Sequence, residues 1–146
     1  MEVFIDADGC PVTDIAVKLA KQACVPCTIL CDTAHQIQRD GVRTITVSQG
    51  ADSVDFALVN LLKPGDVVVT QDYGLAAMCL SRKAIAIHQD GMIYTDENID
   101  SLLFFRAAAR KVRRSGGRLK GPARRTRDQD RAFEDAFSKL LREAVK

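Results

Sequence analysis

The fold is decided near the start of the chain by residues 3–12, which read VFIDADGCPV. An apolar run ends at two aspartates, and Gly-Cys-Pro then leads into a long amphipathic pattern. This order predicts a first strand, a tight turn and a helix with Pro11 in its opening turn. Asp6 and Asp8 would follow the carboxyl end of that strand, on the same side of an extended backbone. Because ligands of open α/β sheets bind beyond these strand ends, the two carboxylates are candidates for a functional site.

The rest of the chain alternates between short apolar runs and helical patterns. Strands are predicted at residues 26–31, 42–47, 67–70 and 84–88, and helices at 11–23, 52–62, 75–82, 98–114 and 128–145. Alternation of this kind predicts parallel βαβ units. We therefore expect a three-layer α/β/α sandwich with a mostly parallel sheet of about five strands. Residues 1–146 are expected to form a single domain, with a basic linker at 115–127 and a closing helix at 128–145.

Composition excludes several classes of protein. The chain has 146 residues, of which 47% are hydrophobic and 27% charged, as is ordinary for a globular protein. No apolar run is long enough to cross a membrane, and the N-terminus lacks the layout of a signal peptide. Cytoplasmic residence is the resulting expectation. The five cysteines are an odd number, which favours free thiols over disulfides.

Acidic residues recur where predicted strands end and helices begin. Asp6 and Asp8 follow the first strand, Asp52 and Asp55 open the helix after the third, and Asp72 follows the fourth. Any one of them is explained by a strand end or, for Asp52, by a helix N-cap. As a set, they would crowd negative charge at one sheet edge, and a hard divalent cation such as Mg²⁺ or Mn²⁺ would relieve that crowding. Carboxylates that hold such ions can orient water and stabilise charge on a phosphodiester.

The charge is divided unevenly along the chain. Residues 1–105 carry 7 Lys or Arg against 14 Asp or Glu, whereas residues 106–127 carry 10 basic side chains and no acid. Arginine suits phosphate oxygens, so this segment predicts a nucleic-acid contact that weakens with salt. The expected contact residues are Arg110, Arg113, Arg114, Arg118, Lys120, Arg124 and Arg125. A solvated basic tail is the alternative, and base stacking is not indicated because few aromatics interleave with the segment.

Three blocks of sequence carry a resemblance to a known family. They are DADGCPV at 6–12, QGADSVD at 49–55 and TQDYGLA at 70–76, joined by GP at 121–122 and DRAF at 130–133. Together they resemble the uncharacterised bacterial YaiI/YqxD family over nearly the whole chain. That family is similar to PIN-like and NYN-type domains, whose acidic strand ends bind Mg²⁺ or Mn²⁺ and cut RNA.

The resemblance implies roles for the acidic residues. Asp6, Asp52 and Asp72 would be direct or water-mediated metal ligands, while Asp8 and Asp55 would be secondary ligands or orient water. All five would then serve a metal-dependent ribonuclease. The implied partner is RNA or another phosphate-rich ligand, and no association with a membrane is expected.

Two other functions remain open at this point. Asp6 and Asp8 also fit a phosphatase of the haloacid-dehalogenase type, as nucleophile and acid/base, with Thr70 as its hydroxyl group. The chain would alternatively be a non-catalytic RNA-binding module that keeps the acids as a structural metal site.

The cysteines offer weaker candidates. Cys24, Cys27 and Cys31 have only His35 nearby as a fourth zinc ligand, which favours thiols in a structural role. Cys10 lies at a predicted helix start, but neighbouring carboxylates are expected to raise its pKa.

Overall fold

The computed structural model describes residues 1–33, 37–48, 53–116 and 124–145. Its sheet has five parallel strands, β1 (Val3–Asp6), β2 (Cys27–Asp32), β3 (Arg43–Val47), β4 (Val67–Val69) and β5 (Ile85–Ile87). The spatial order is β3-β2-β1-β4-β5. An antiparallel bridge between Ile87 and Ile93 adds a small hairpin arm.

Helices cover both faces of the sheet. They are α1 (Thr13–Gln22), α2 (Ser53–Leu61), α3 (Tyr73–Ser81), α4 (Asp96–Arg114) and α5 (Arg127–Val145). On one face α1 packs against α5, and on the other α3 packs against α2 and α4. This arrangement confirms the predicted α/β/α sandwich. In the part of the chain that the structure describes, no helix combines the length and apolar character needed to span a membrane.

The strand pattern explains why the sheet needs helices on both sides. Val3 and Ile5 face one core, in which Phe133 and Phe137 of α5 stack with ring centroids 5.2 Å apart. Phe4, between them in sequence, belongs to the opposite core. Successive side chains of a strand point to opposite faces, so an unbroken apolar strand is stable only when both faces are covered.

Three helix starts differ by two residues from the sequence prediction, and one of them is α3, which begins at Tyr73 rather than residue 75 because Asp72 caps it. Pro11 does not lie in the opening turn of α1, which begins at Thr13, because the chain is still in a turn at Pro11 and the Thr13 hydroxyl donates to the Cys10 carbonyl oxygen. Helix α4 begins at Asp96 rather than Asn98. There, Thr95 and Asn98 form a reciprocal capping box, which satisfies backbone donors at the start of the helix.

Strand order creates one special position at the carboxyl edge of the sheet. From β1 the chain continues outward to β2 and β3, and then returns to place β4 on the other side of β1. The carboxyl ends of β1 and β4 therefore form the topological switch point, where open α/β sheets leave a crevice for ligands.

An acidic cleft as candidate functional site

Five aspartates, Asp8 among them, surround a cleft at this switch point. Asp6 ends β1, Asp32 ends the neighbouring β2, Asp72 follows β4, and Asp55 lies in the first turn of α2. The cleft has a volume of about 250 Å³. Its lining residues are Asp6, Asp8, Asp32, Ser53, Val54, Asp55, Gln71 and Asp72. Residues spread over 67 positions of sequence thus meet in one place, because the parallel strands end at the same edge.

Thr70 connects the two central strand ends. Its hydroxyl donates to Asp6 Oδ2 at 2.9 Å and accepts from the backbone N–H of Asp72 at 3.0 Å. Thr70 is buried, and its carbonyl oxygen accepts from the hydroxyl of the buried Tyr94 at 3.1 Å. Buried hydrogen bonds of this kind hold a side chain in one orientation. The Asp6 carboxylate therefore has a fixed position relative to the loop that carries Asp72.

Asp72 serves as the N-cap of α3. Its Oδ1 accepts from the backbone N–H groups of Gly74 at 2.8 Å and Leu75 at 3.2 Å, so the helix start stabilises the carboxylate. The guanidinium of Arg106 on α4 approaches the same oxygen at 3.4 Å. Within the described residues, all these contacts use Oδ1 and none uses Oδ2. Asp72 thus combines a structural role with an oxygen left over for a ligand.

The environment of Asp6 opposes negative charge. The pKa of its carboxyl is raised to about 7, mainly by burial, and the charges of Asp55, Asp8 and Asp72 act in the same direction. The hydrogen bond from Thr70 works against this rise. An acid with such a pKa is only partly ionised near neutrality, and a bound cation would favour its charged form.

The donor set of the cleft fits a hard cation. Among the described residues that line it, it offers carboxylate oxygens and neither histidine nor cysteine, which suits Mg²⁺ or Mn²⁺ better than a softer metal. The charges of Asp55, Asp8 and Asp72 raise the pKa of Asp6, as expected where carboxylates lie close together. Among the described residues, however, no three His, Cys, Asp or Glu side chains are already arranged around a common metal position.

The predicted acidic residues have different outcomes. Asp6, Asp8, Asp55 and Asp72 come together at the cleft, whereas Asp52 lies outside the described residues, so its N-cap and ligand roles stay predictions. Asp32 was not predicted as a site residue. The sequence signal was present, since Asp32 directly follows the apolar run of β2 just as Asp6 follows β1.

The basic residues divide into groups with different surroundings. Arg106 and Arg110 of α4 line a second groove, of about 370 Å³, beside the acidic cleft. Three more arginines are exposed, at the end of α4 and just before α5: Arg113, Arg114 and Arg124. Arg118 and Lys120 lie outside the described residues.

Arg125 is engaged within the protein. Its guanidinium donates to Asp90 Oδ1 at 2.6 Å, to Asp130 Oδ1 at 2.7 Å and to the Gln89 carbonyl oxygen at 2.7 Å. These bonds tie the start of α5 to the turn after β5. We therefore leave Arg125 out of the phosphate-contacting set proposed below.

All five cysteines are free thiols, as predicted. Burial raises the pKa of Cys27 to about 12 and is also the main reason why the pKa of Cys10 is raised, with Asp6 adding to it. Cys31 is buried and Cys24 is exposed, while His35 lies outside the described residues. These surroundings are typical of structural thiols rather than reactive ones.

Comparison with known proteins gives consistent matches over almost the whole chain. A "UPF0178 protein" of Exiguobacterium sibiricum is 55% identical over 143 residues, covering 98% of both chains. Proteins of the same description from Clostridium acetobutylicum and Ruminiclostridium cellulolyticum are 47% and 48% identical, covering 97% and 94% of this chain and 97% and 90% of their own lengths. No solved structure matches the chain significantly. The family model described as "Uncharacterized BCR, YaiI/YqxD family" matches residues 4–143, and the chain therefore belongs to the YaiI/YqxD family.

Proposed function

We propose that this protein is a Mg²⁺- or Mn²⁺-dependent phosphodiesterase that cleaves RNA at the acidic cleft. The observation that carries the proposal is the convergence of Asp6, Asp8, Asp55 and Asp72 at the switch point of the sheet. The charges of Asp8, Asp55 and Asp72 add to the rise in the pKa of Asp6 that burial causes. A site that disfavours its own charge in this way is suited to binding a cation.

The aspartates of the cleft would have different roles according to their positions. Asp6 and Asp72 would hold the cation, together with Asp52 as the resemblance implies. A bound Mg²⁺ or Mn²⁺ would stabilise the negative charge that develops on the phosphate during hydrolysis. Asp8 and Asp55, which line the same cleft, would orient the attacking water and accept its proton.

The basic side of the site would position the substrate. Arg106 lies at the border between the cleft and the second groove, because its guanidinium contacts Asp72 and it lines the groove. Arg110, Arg113 and Arg114 follow at positions i+4, i+7 and i+8, which lie on the same side of a helix. A phosphate backbone running along α4 would therefore reach the acidic cleft.

Titration with Mn²⁺ tests the metal site directly. At a hundredfold excess over Kd, a ligand that binds only the folded state adds about 2.7 kcal/mol of stability. For a chain of this size, this corresponds to a rise of about 5–10 °C in melting temperature. We expect this rise in the wild type and not in Asp6→Asn. Asp100→Asn, an exposed carboxylate on α4 outside the cleft, is the matched control and should behave like the wild type.

Activity is tested on a labelled RNA oligonucleotide with the same variants. Cleavage should require Mn²⁺ and be lost in Asp6→Asn but not in Asp100→Asn. The proposal is overturned if Mn²⁺ does not change the melting temperature of the wild type and the wild type does not cleave RNA.

A phosphatase mechanism is the second candidate, and one contact favours it. The Thr70 hydroxyl lies 2.9 Å from Asp6 Oδ2, so a hydroxyl group stands beside the carboxylate that would act as nucleophile. Acid-quenched reactions with a phosphate monoester, followed by mass spectrometry, distinguish the two mechanisms. A phosphorylated Asp6 supports the phosphatase, and RNA cleavage without it supports the phosphodiesterase.

A further inference from the structure

The second groove lies beside the acidic cleft, where α2, α3 and α4 come together. Its lining residues are Asp55, Phe56, Asp72, Gly74, Met78, Arg106 and Arg110. Asp55 and Asp72 also line the acidic cleft, so the two depressions share a wall. A ligand that occupies the groove is therefore next to the carboxylates.

Phe56 is the unusual residue of this groove. Its neighbours Val54 and Leu58 on α2 are buried in the core, and helical periodicity places Phe56 on the opposite side, where it is 61% exposed. Single exposed aromatics are common on protein surfaces and need no function by themselves. Here, however, the ring shares a groove with the half-buried Met78 and with two guanidinium groups.

Room for the guanidinium of Arg106 is provided by the absence of a side chain at position 74. A Cβ added to Gly74 would lie 3.3 Å from Arg106 Nη1 and 3.2 Å from Asp72 Oδ1. A Cβ at this position would therefore require the guanidinium of Arg106 to shift by a few tenths of an ångström. The contact of Arg106 with Asp72 is long, at 3.4 Å, and partly accessible to solvent, so little free energy opposes its exchange for a phosphate.

We infer that this groove binds one unpaired nucleotide of single-stranded RNA, with its base stacked on Phe56 and its phosphate on Arg106 and Arg110. The inference rests on the proposed function and specifies its substrate as an unpaired strand. An aromatic face with an adjacent arginine pair matches the base and phosphate of a nucleotide in both shape and charge. A base within a duplex has its faces covered by neighbours and cannot stack on the ring.

Binding is measured without metal, so that affinity is read independently of cleavage. The probe is a fluorescently labelled eight-nucleotide oligouridylate in EDTA at low salt, and fluorescence anisotropy is recorded. Alanine substitution removes the stacking contact between ring and base, and we expect Phe56→Ala to weaken binding about tenfold. Phe56→Tyr keeps a stacking ring and should bind like the wild type.

Matched controls separate this groove from a general effect of exposed residues. Phe104 is 69% exposed on α4 but does not line the groove, so Phe104→Ala should leave the affinity unchanged. Arg110→Gln should weaken binding and lower the salt dependence by about one counter-ion. An RNA duplex of the same length should bind more weakly, and Phe56→Ala should leave its affinity unchanged.

Four results would overturn the inference. Three of them are equal affinities of Phe56→Ala and Phe104→Ala for the oligonucleotide, an equal effect of Phe56→Ala on duplex and single-strand binding, and no binding of the oligonucleotide by the wild type. A fourth is a change of oligomeric state in Phe56→Ala without a change in RNA affinity, which would make the ring part of an interface between copies of the chain. Failure of this inference is distinguishable from failure of the proposed function, since the first is read in EDTA and the second by Mn²⁺-dependent melting and cleavage.

Discussion

Substituting Asp6 by asparagine should stabilise the metal-free protein, and more so at alkaline pH. The pKa of Asp6 rises from its ordinary 3.8 to about 7, mainly because the carboxyl is buried and secondarily because other carboxylates are near. The folded state therefore binds a proton more tightly than the unfolded state. Between these two pKa values the folded protein holds more protons, so its stability falls as the pH rises.

The size of the effect follows from the same pKa values. One pH unit corresponds to 1.36 kcal/mol, so the ionised Asp6 costs about 4 kcal/mol once the pH exceeds 7. At pH 5 the cost is about 2 kcal/mol, because the folded state still keeps most of its proton. Asn carries no charge at either pH. The advantage of Asp6→Asn over the wild type should therefore grow by about 2–3 kcal/mol between pH 5 and pH 8.

Urea unfolding in EDTA, followed by circular dichroism, measures this difference. The wild type, Asp6→Asn and the exposed control Asp100→Asn are compared at pH 5 and pH 8, which removes the titration of other groups from the comparison. If the free energy of unfolding differs between the wild type and Asp6→Asn by the same amount at both pH values, the electrostatic account of the cleft is refuted.

Three further substitutions probe the packing that positions the site. Gly91→Ala should cost about 2–4 kcal/mol, because its Cβ would lie 2.5 Å from the Ala132 carbonyl oxygen and its φ is +92°; chemical denaturation measures the loss. Thr70→Val should cost about 2 kcal/mol, since it leaves buried polar groups without their partner. It should also raise the pKa of Asp6 further, because the hydrogen bond from Thr70 lowers this pKa in the wild type. Phe133→Ala should cost about 3–5 kcal/mol, because it empties a fully buried site, and the melting temperature should fall accordingly.

Each of these has a control within the chain. Gly65 has a similar φ of +89° but open space around it, so Gly65→Ala isolates the strain from the close contact at Gly91. Thr70→Ser keeps the hydroxyl and should retain most of the stability lost in Thr70→Val. Phe105 is 66% exposed, and Phe105→Ala should change stability far less than Phe133→Ala. Equal losses within any pair would contradict the corresponding argument.

Much of the architecture could be predicted because it depends on local patterns. Runs such as residues 3–5 and 67–69 are apolar throughout, which is typical of strands covered on both faces. The segments between them follow a helical period instead. Helix starts were less predictable. At α4 the capping box begins with Thr95, and at α1 the turn holds Pro11 outside the helix, so the boundaries shifted by two residues.

The acidic cleft was only partly predictable. An aspartate after an apolar strand is visible in the sequence, which correctly grouped Asp6 with Asp72 and would equally have identified Asp32. Which acids meet depends on strand order, since Asp6 lies near Thr70 only because β4 pairs with β1. That pairing joins segments more than 60 residues apart, and no local pattern specifies it.

The sequence by itself determined the α/β class, the alternation of elements and the separation of acidic and basic segments, because each follows from residues close together in the chain. Tertiary structure alone decided what each charge contacts. Arg106 and Arg125 belong to the same basic run, yet one reaches Asp72 at the cleft and the other bonds Asp90 and Asp130. The aromatic ring beside the arginines comes from α2, far from the basic segment. These contacts arise when helices distant in sequence bury their apolar faces on one sheet, and that burial brings together the side chains at their edges.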